Sequence, residues 1–210
     1  MSSIFNSNCT ACPRLARYLA TVRRDLPEYH ARPVAPFGDP SARFLIIGLA
    51  PGMHGANRTG RPFTGDHAGI LLYRTLHKHG FASRPKSVSA DDGLVLTNCR
   101  ITNAVKCVPP ENKPTPAEIK QCNGYLRAEL QKLPEIGVLL ALGRIAHQSV
   151  IQALGLRAAS YPFTHGARHS LPNGWQLLDS YHCSRYNTQT GRLTTRMFDT
   201  VVRKAAKLLS

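Results

Sequence analysis

"RFLIIGLAPGMHGANRTGRPFTGDHAGILLYRTLHKHG", residues 43–80, holds three patterns in succession. A nearly unbroken apolar run over 43–49 gives way to a glycine-rich loop. The loop leads into a helical repeat in which Leu72, Tyr73, Leu76 and His79 share a face and Gly80 supplies a stop. A short run that is apolar on both faces suits a buried parallel strand, which helices cover on each side. Strand, loop and helix in that order form one unit of an α/β fold.

The alternation continues on both sides of this unit. Helices are expected over 17–26, 115–133 and 144–154 and from about 195, where Met197, Val201, Ala205 and Leu208 fall on one face. The helix at 115–133 opens with a capping box, Thr115 at the N-cap and Glu118 three residues on, with Pro116 at the first helical position. Further strands are expected within 93–107, over 136–143 and over 175–182. Repeats, low-complexity tracts and linkers are absent from the sequence, so residues 1–210 read as one α/β domain with a mostly parallel sheet. In such sheets ligands bind at the carboxyl ends of the strands, and the loops after the first, second and fourth strands leave from those ends.

The glycine loop is tested first as a phosphate loop. "GANRTGRP" (55–62) approaches G-x-x-x-x-G-K-[ST], but Arg61 replaces the lysine and Pro62 stands where a hydroxyl should meet Mg²⁺. It also begins too far beyond the strand. Those departures argue against a phosphate-loop nucleotide triphosphatase.

Charge narrows the partner. Lys and Arg number 27 against 12 Asp and Glu, a formal net charge of +15, spread along the chain rather than gathered in a tail. Such self-repulsion points to an anionic partner, and without an aromatic amphipathic face nucleic acid suits it better than a membrane. The sequence has neither an apolar run of transmembrane length nor a signal-type start, which predicts a cytoplasmic protein without a membrane partner.

Six cysteines in a cytosolic chain of this size favour metal ligation over disulfides. Cys9 and Cys12 form a C-x-x-C pair, and Cys107 and Cys122 flank the Pro-rich stretch that leads into the capped helix. A metal shared by the four would tie the N-terminal segment to the body of the domain. Four thiolates suit either zinc or an iron–sulfur cluster, and the spacing does not choose. Cys99 and Cys183 read as small buried hydrophobes.

Taken together, "GLAPGMHGANRTGRPFTGD" (48–66), "TNAVKC" (102–107) with C-x-x-C upstream, and "YHCSRYNTQTGRLT" (181–194) resemble the type b (family 5) uracil-DNA glycosylases. The resemblance runs from Cys9 to the last helix. It implies a three-layer α/β/α sandwich with a central four-stranded parallel sheet, and a [4Fe–4S] cluster on Cys9, Cys12, Cys107 and Cys122. It further implies hydrolysis of the N-glycosidic bond of uracil in DNA by a monomer working at the nucleoid. Hypoxanthine and other deaminated or modified bases extend the expected substrates, and the product is an abasic site.

Site residues follow from that chemistry, which flips a base into a pocket and then stabilises a departing anion. Phe63 is the stacking aromatic that the resemblance implies. Asn103 can accept from uracil N3–H and donate to O4, and His182 can hydrogen-bond the oxygen where charge accumulates. Gly52, His54 and Asn57 are expected to line the base pocket. The start of the first motif, 48–52, carries no acidic side chain, so Asp66 is the nearest carboxylate, either acting on water and the sugar cation or capping the next helix. Arg58, Arg61, Arg185 and Arg192 are expected on phosphates, and Tyr186 or Arg185 in the gap left by the base. The loop 165–170 is a further candidate for DNA contact.

Two other readings stand beside this one. One is a non-catalytic iron–sulfur module that binds DNA damage; the convergence of Phe63, Asn103 and His182 argues against it. The other is a Ser–His hydrolase, which lacks a G-x-S-x-G elbow and has only Ser184 near His182.

Overall fold

The computed structural model describes residues 5–132 and 137–210. Its strands are β1 (Phe37–Gly38), β2 (Phe44–Gly48), β3 (Cys99–Asn103), β4 (Val138–Leu142), β5 (Arg168–Ser170) and β6 (Gln176–Ser180). Its helices are α1 (Pro13–Asp25), α2 (Ala56–Thr59), α3 (His67–Lys78), α4 (Pro116–Leu130), α5 (Arg144–Ala153), α6 (Arg185–Gln189) and α7 (Thr195–Leu209). Leu133 and Ile136, at the ends of an expected helix and strand, lie outside the described residues.

Six strands form one sheet in the order β1-β3-β2-β4-β6-β5. The inner strands β3, β2, β4 and β6 pair in parallel, while β1 and β5 add antiparallel edges. The sheet is therefore mixed and two strands wider than the four-stranded parallel sheet expected from the sequence. The added strands are two and three residues long. Segments so short leave no periodic signal, and β5 ("RHS") is polar because an edge strand faces water.

Every residue of β2 is buried, and alternate side chains enter different cores. Phe44 and Ile46 pack with Leu72 and Leu76 of α3 and with Phe198 and Val201 of α7. Leu45 and Ile47 pack with Leu126 of α4 and with Ala146 and Val150 of α5. Helices thus cover both faces, the physical reason for the unbroken apolar run. No helix among the described residues is long and apolar enough to cross a membrane.

A third cluster joins Leu15 and Leu19 of α1 to Val105, Val108, Cys107 and Cys122. Pro13 sits in the first turn of α1, where its missing N–H is no loss, so the helix starts earlier than the apolar pattern suggests. Arg14 extends this docking. Its Nε donates to Glu118 Oε1 at 2.8 Å, and its Nη2 to Glu118 Oε2 at 2.7 Å and to the Lys113 carbonyl at 3.2 Å. Glu118 also closes the capping box of α4, accepting from the Thr115 N–H at 2.8 Å.

Candidate active site

The chain leaves β2 at Gly48 and runs beside the exit of β3, the Ala104 and Val105 N–H groups donating to the Gly48 and Leu49 carbonyls at 2.9 Å each. Asn103, the last residue of β3, is thereby held against the start of the glycine loop. Because β3 and β4 flank β2 on opposite sides, the connections diverge here and open a crevice at the carboxyl ends of the strands.

Glycines let the crevice close around Phe63. A β-carbon on Gly48 would lie 2.6 Å from the Phe63 ring and closer still to Asn103 Oδ1. One on Gly55 would meet the Asp66 side chain, with its Cβ at 2.6 Å. Phe63 itself has φ +54°, a left-handed conformation that costs a non-glycine residue about 1–3 kcal/mol. The surroundings enforce it: Tyr73 Oη donates to the Pro62 carbonyl at 2.7 Å, and Thr64 and Ser87 share a hydroxyl bond of 2.7 Å.

The resulting cavity, about 420 Å³, is lined by Phe63, Asp66, His67, Asn103, Asn112 and His182, with Ala50, Gly52, Ser184 and Arg185 also in its wall. The His182 ring stacks on Phe63, with centroids 5.8 Å apart and planes 29° from parallel. Its backbone is held by Asn187 Nδ2, which donates to the His182 carbonyl at 2.8 Å. Burial pushes the His182 pKa down to about 4, so the imidazole is neutral at pH 7. The Asn103 amide is buried, and its Oδ1 has no hydrogen-bond partner among the described residues. A buried acceptor left open in a cavity wall is ready for a donor on a bound molecule.

Asp66 does two things at once. It is the N-cap of α3, with Oδ1 accepting from the Gly69 N–H at 2.9 Å. It also lines the cavity, with Oδ2 facing the Gly52 backbone. Burial pushes its carboxyl above the usual range, against the opposing effect of the Gly69 and Ala68 N–H groups.

Three expected site residues stand outside the cavity lining. Arg61 is buried: Nη1 pairs with Asp92 Oδ1 at 2.6 Å and with Ser87 at 3.1 Å, and the guanidinium covers Phe37 at 4.4 Å. It cannot reach a phosphate. Burial disfavours the Asp92 anion, but Arg61 and the Leu94 and Val88 N–H groups outweigh it and hold that carboxyl well below the usual range. Asn57 is buried in α2 away from the cavity, its Nδ2 on Met53 Sδ at 3.6 Å and its backbone carbonyl accepting from Ala31 at 3.0 Å. His54 points outward and shares a 2.8 Å hydrogen bond with Tyr29 Oη.

The remaining cations and aromatics stand on the surface. Arg58 is exposed, donating to the Gly65 carbonyl at 3.2 Å, and Arg192 lies over the Tyr181 ring at 4.7 Å. Tyr186, on α6 beside Arg185, is 69% exposed, unusual for so large an apolar side chain. Within 165–170 the histidines turn inward, His165 Nδ1 accepting from the Tyr181 N–H at 3.1 Å and His169 reaching Asp179, while Arg168 and Ser170 of β5 are exposed.

Asn112 and His67 line the cavity without having been singled out in the sequence. Asn112 has φ +57° and follows Glu111 at φ +53°, in the Pro-rich stretch before α4. Asn tolerates that conformation better than most residues, which was the one signal available. His67 Nε2 and Thr188 Oγ1 share a 2.9 Å bond that ties the start of α3 to α6.

A second cavity, about 320 Å³, is lined by all four expected ligands, Cys9, Cys12, Cys107 and Cys122, together with Lys106 and Tyr125. Burial and the neighbouring sulfurs push the Cys107 thiol up to about 12 and raise Cys12 as well. Burial also raises Cys122, although its Sγ accepts from the Lys106 N–H at 3.3 Å. Among the described residues no three of these sulfurs fall within 4.8 Å of one another, the reach of a single ion. Four thiols around one cavity are a donor set that fits either a zinc ion or an iron–sulfur cluster.

The uracil DNA glycosylase superfamily model matches residues 35–206. The chain is 52% identical over 206 residues to a type-5 uracil-DNA glycosylase of Thermus thermophilus, covering 95% of this chain and 93% of that protein. It is 43% identical to a type-5 uracil-DNA glycosylase of Pyrobaculum aerophilum, covering 95% and 88%. A type-4 uracil-DNA glycosylase of Archaeoglobus fulgidus is more distant, 32% identical over 68% of this chain and 64% of that protein. With the match spanning both the cavity and the β-sheet, the chain belongs to the uracil DNA glycosylase superfamily, in its type-5 group.

Proposed function

We propose that this protein excises uracil from DNA, hydrolysing the bond between uracil N1 and the sugar C1′. The observation that carries the reading is the convergence of Phe63, Asn103, His182 and Asp66 on one cavity at the carboxyl end of the sheet. The flipped base stacks on Phe63 while Asn103 accepts from N3–H and donates to O4. As the bond breaks, its electron pair moves onto the uracil ring, and neutral His182 donates an N–H to the oxygen that gains charge. A donor of this kind contributes about 10²–10³ in rate. Asp66 stabilises the sugar cation and orients the water that adds at C1′, retaining its capping bond meanwhile.

Among the described residues no lysine lines the cavity, which supports water rather than an amine as the nucleophile and an abasic site as the product. Hypoxanthine presents the same neighbouring N–H and carbonyl to Asn103, which supports its inclusion among the substrates. Arg58, Arg185 and Arg192 hold the phosphates, and Tyr186 or Arg185 fills the gap left by the base. Cys9, Cys12, Cys107 and Cys122 would hold an iron–sulfur cluster with a structural role, fastening the N-terminal segment to the body. A module that only bound damage would have no use for a carboxylate and a neutral imidazole facing the same space.

The test is a labelled duplex with one U·G mismatch, incubated with wild type, His182→Ala and Asp66→Ala and then treated with alkali. Alkali-dependent cleavage that falls by about 10²-fold or more in each variant is expected. Tight binding without abasic product, on uracil and on hypoxanthine, would overturn the reading in favour of the damage-binding module.

A further inference from the structure

Away from both cavities, three elements bring together His147 of α5, His169 of β5 and Asp179 of β6. His147 Nδ1 lies 2.7 Å from Asp179 Oδ1, and His169 Nε2 lies 3.1 Å from Asp179 Oδ2. The three donor atoms all fall within 4.8 Å of one another, with Asp179 and His147 buried and His169 nearly so. The excision chemistry uses none of them.

The orientation of His147 is informative. Its Nε2 lies 2.8 Å from the Tyr161 carbonyl, an acceptor only, so Nε2 carries the hydrogen and donates it. Nδ1 then faces a carboxylate oxygen, and two lone pairs at 2.7 Å require a positive species between them. Histidines that bind metals are usually fixed in this way, with the second ring N–H on a backbone carbonyl. Next to the group is a cavity of about 280 Å³ lined by Arg144, His147, Gln148, Tyr161 and Phe163, which supplies room for a further ligand such as water.

We propose that His147 Nδ1, His169 Nε2 and a carboxylate oxygen of Asp179 form a binding site for a divalent transition-metal ion of the zinc class. Two imidazoles and a carboxylate are a borderline donor set suited to zinc and poor for calcium or magnesium. Donors around a tetrahedral zinc with bonds of about 2.0–2.2 Å stand roughly 3.3–3.6 Å apart, so His147 Nδ1 and Asp179 Oδ1, now at 2.7 Å, must part by more than half an ångström on binding, and His169 Nε2 and Asp179 Oδ2, at 3.1 Å, by less. The ion would join α5, β5 and β6 just ahead of the turn that delivers His182.

The experiment uses the intact protein with its cysteine site loaded, dialysed against zinc and then against buffer. Zinc is quantified beside iron, and X-ray absorption at the zinc edge reads the ligand shell. The expected result is stoichiometric zinc in a nitrogen and oxygen shell. In His169→Ala that zinc should be lost while iron content and base excision remain at the wild-type level. Zinc in a sulfur shell would place it on the cysteines and overturn the proposal. So would zinc no higher in wild type than in His169→Ala, which would leave a proton as the species between His147 and Asp179.

Discussion

Gly69 and Phe63 are fitted to each other: a β-carbon on Gly69 would lie 3.0 Å from the Phe63 carbonyl carbon and closer still to its oxygen. The first turn of α3 therefore has to be bare for the aromatic to take its left-handed conformation. Gly69→Ala is expected to displace Phe63, lower stability by about 1–3 kcal/mol and reduce excision sharply. Gly124, in α4 with nothing near its missing side chain, is the control. Gly124→Ala should raise stability by about 0.5–1 kcal/mol with unchanged turnover, as thermal melts and single-turnover assays would show.

Two arginines that look alike in the sequence should part company in solution. Arg61→Ala removes one half of the buried pair with Asp92, whose side chains are 6% and 10% exposed. It should lower stability by about 3–5 kcal/mol while leaving the salt dependence of DNA binding unchanged in whatever folds. Arg185→Ala should do the reverse, reducing the slope of log K against log salt by about one and leaving the melting curve in place.

Acid should act on Asp66 and His182 in different ways. His182 takes up a proton near 6.5 when unfolded but only near about 4 when folded. Its contribution to stability is full above the unfolded value, declines as pH falls from 6.5 towards 4, and is constant below that. Urea titrations at pH 7 and pH 5 should therefore differ less for His182→Gln than for wild type. Excision should lose no rate through His182 near pH 6.5, because the ring stays neutral there. Its acid limb should instead follow protonation of Asp66, above the ordinary carboxylate value, and be missing from whatever slow activity Asp66→Asn retains.

Removal of the proposed iron–sulfur cluster should be felt at α1 before anywhere else. Cys12→Ser or iron chelation is expected to abolish visible absorbance, lower the melting temperature and raise hydrogen exchange in α1 and in the stretch 107–115. Exchange in β2 and β4 should change little, since neither strand belongs to the apolar cluster around Cys107 and Cys122.

What the sequence revealed, and what it concealed, divides by the range of the interaction responsible. Two-sided burial made β2 readable, and the capping box at Thr115 and Glu118 was readable because its partners are three residues apart. Asn103 and His182 were legible from their places at strand exits, whereas Phe63 came from the family resemblance and Asp66 as the nearest carboxylate; the four line one cavity. The burial of Arg61 could not be read, because its partner Asp92 is 31 residues away and no local pattern announces the pairing. The placements of Asn57 and His54 were hidden for a related reason: a polar loop residue gives no sign of whether it turns inward, as Asn57 does, or outward, as His54 does. Edge strands β1 and β5 exist only through their neighbours, and Asn112 enters the cavity through two consecutive left-handed residues.

The bond from Arg14 to Glu118 spans 104 positions of the chain. During synthesis Arg14 therefore leaves the ribosome long before the helix that will receive it has been translated. Loops of that length close slowly, and contacts of such wide separation form late. The segment made early is thus among those seated late, and until it arrives the stretch from Lys113 to Thr115, next to Asn112, is without its clamp. Competence for base excision would then trail the appearance of the folded sheet, a delay open to measurement by comparing the recovery of turnover with that of secondary structure during refolding.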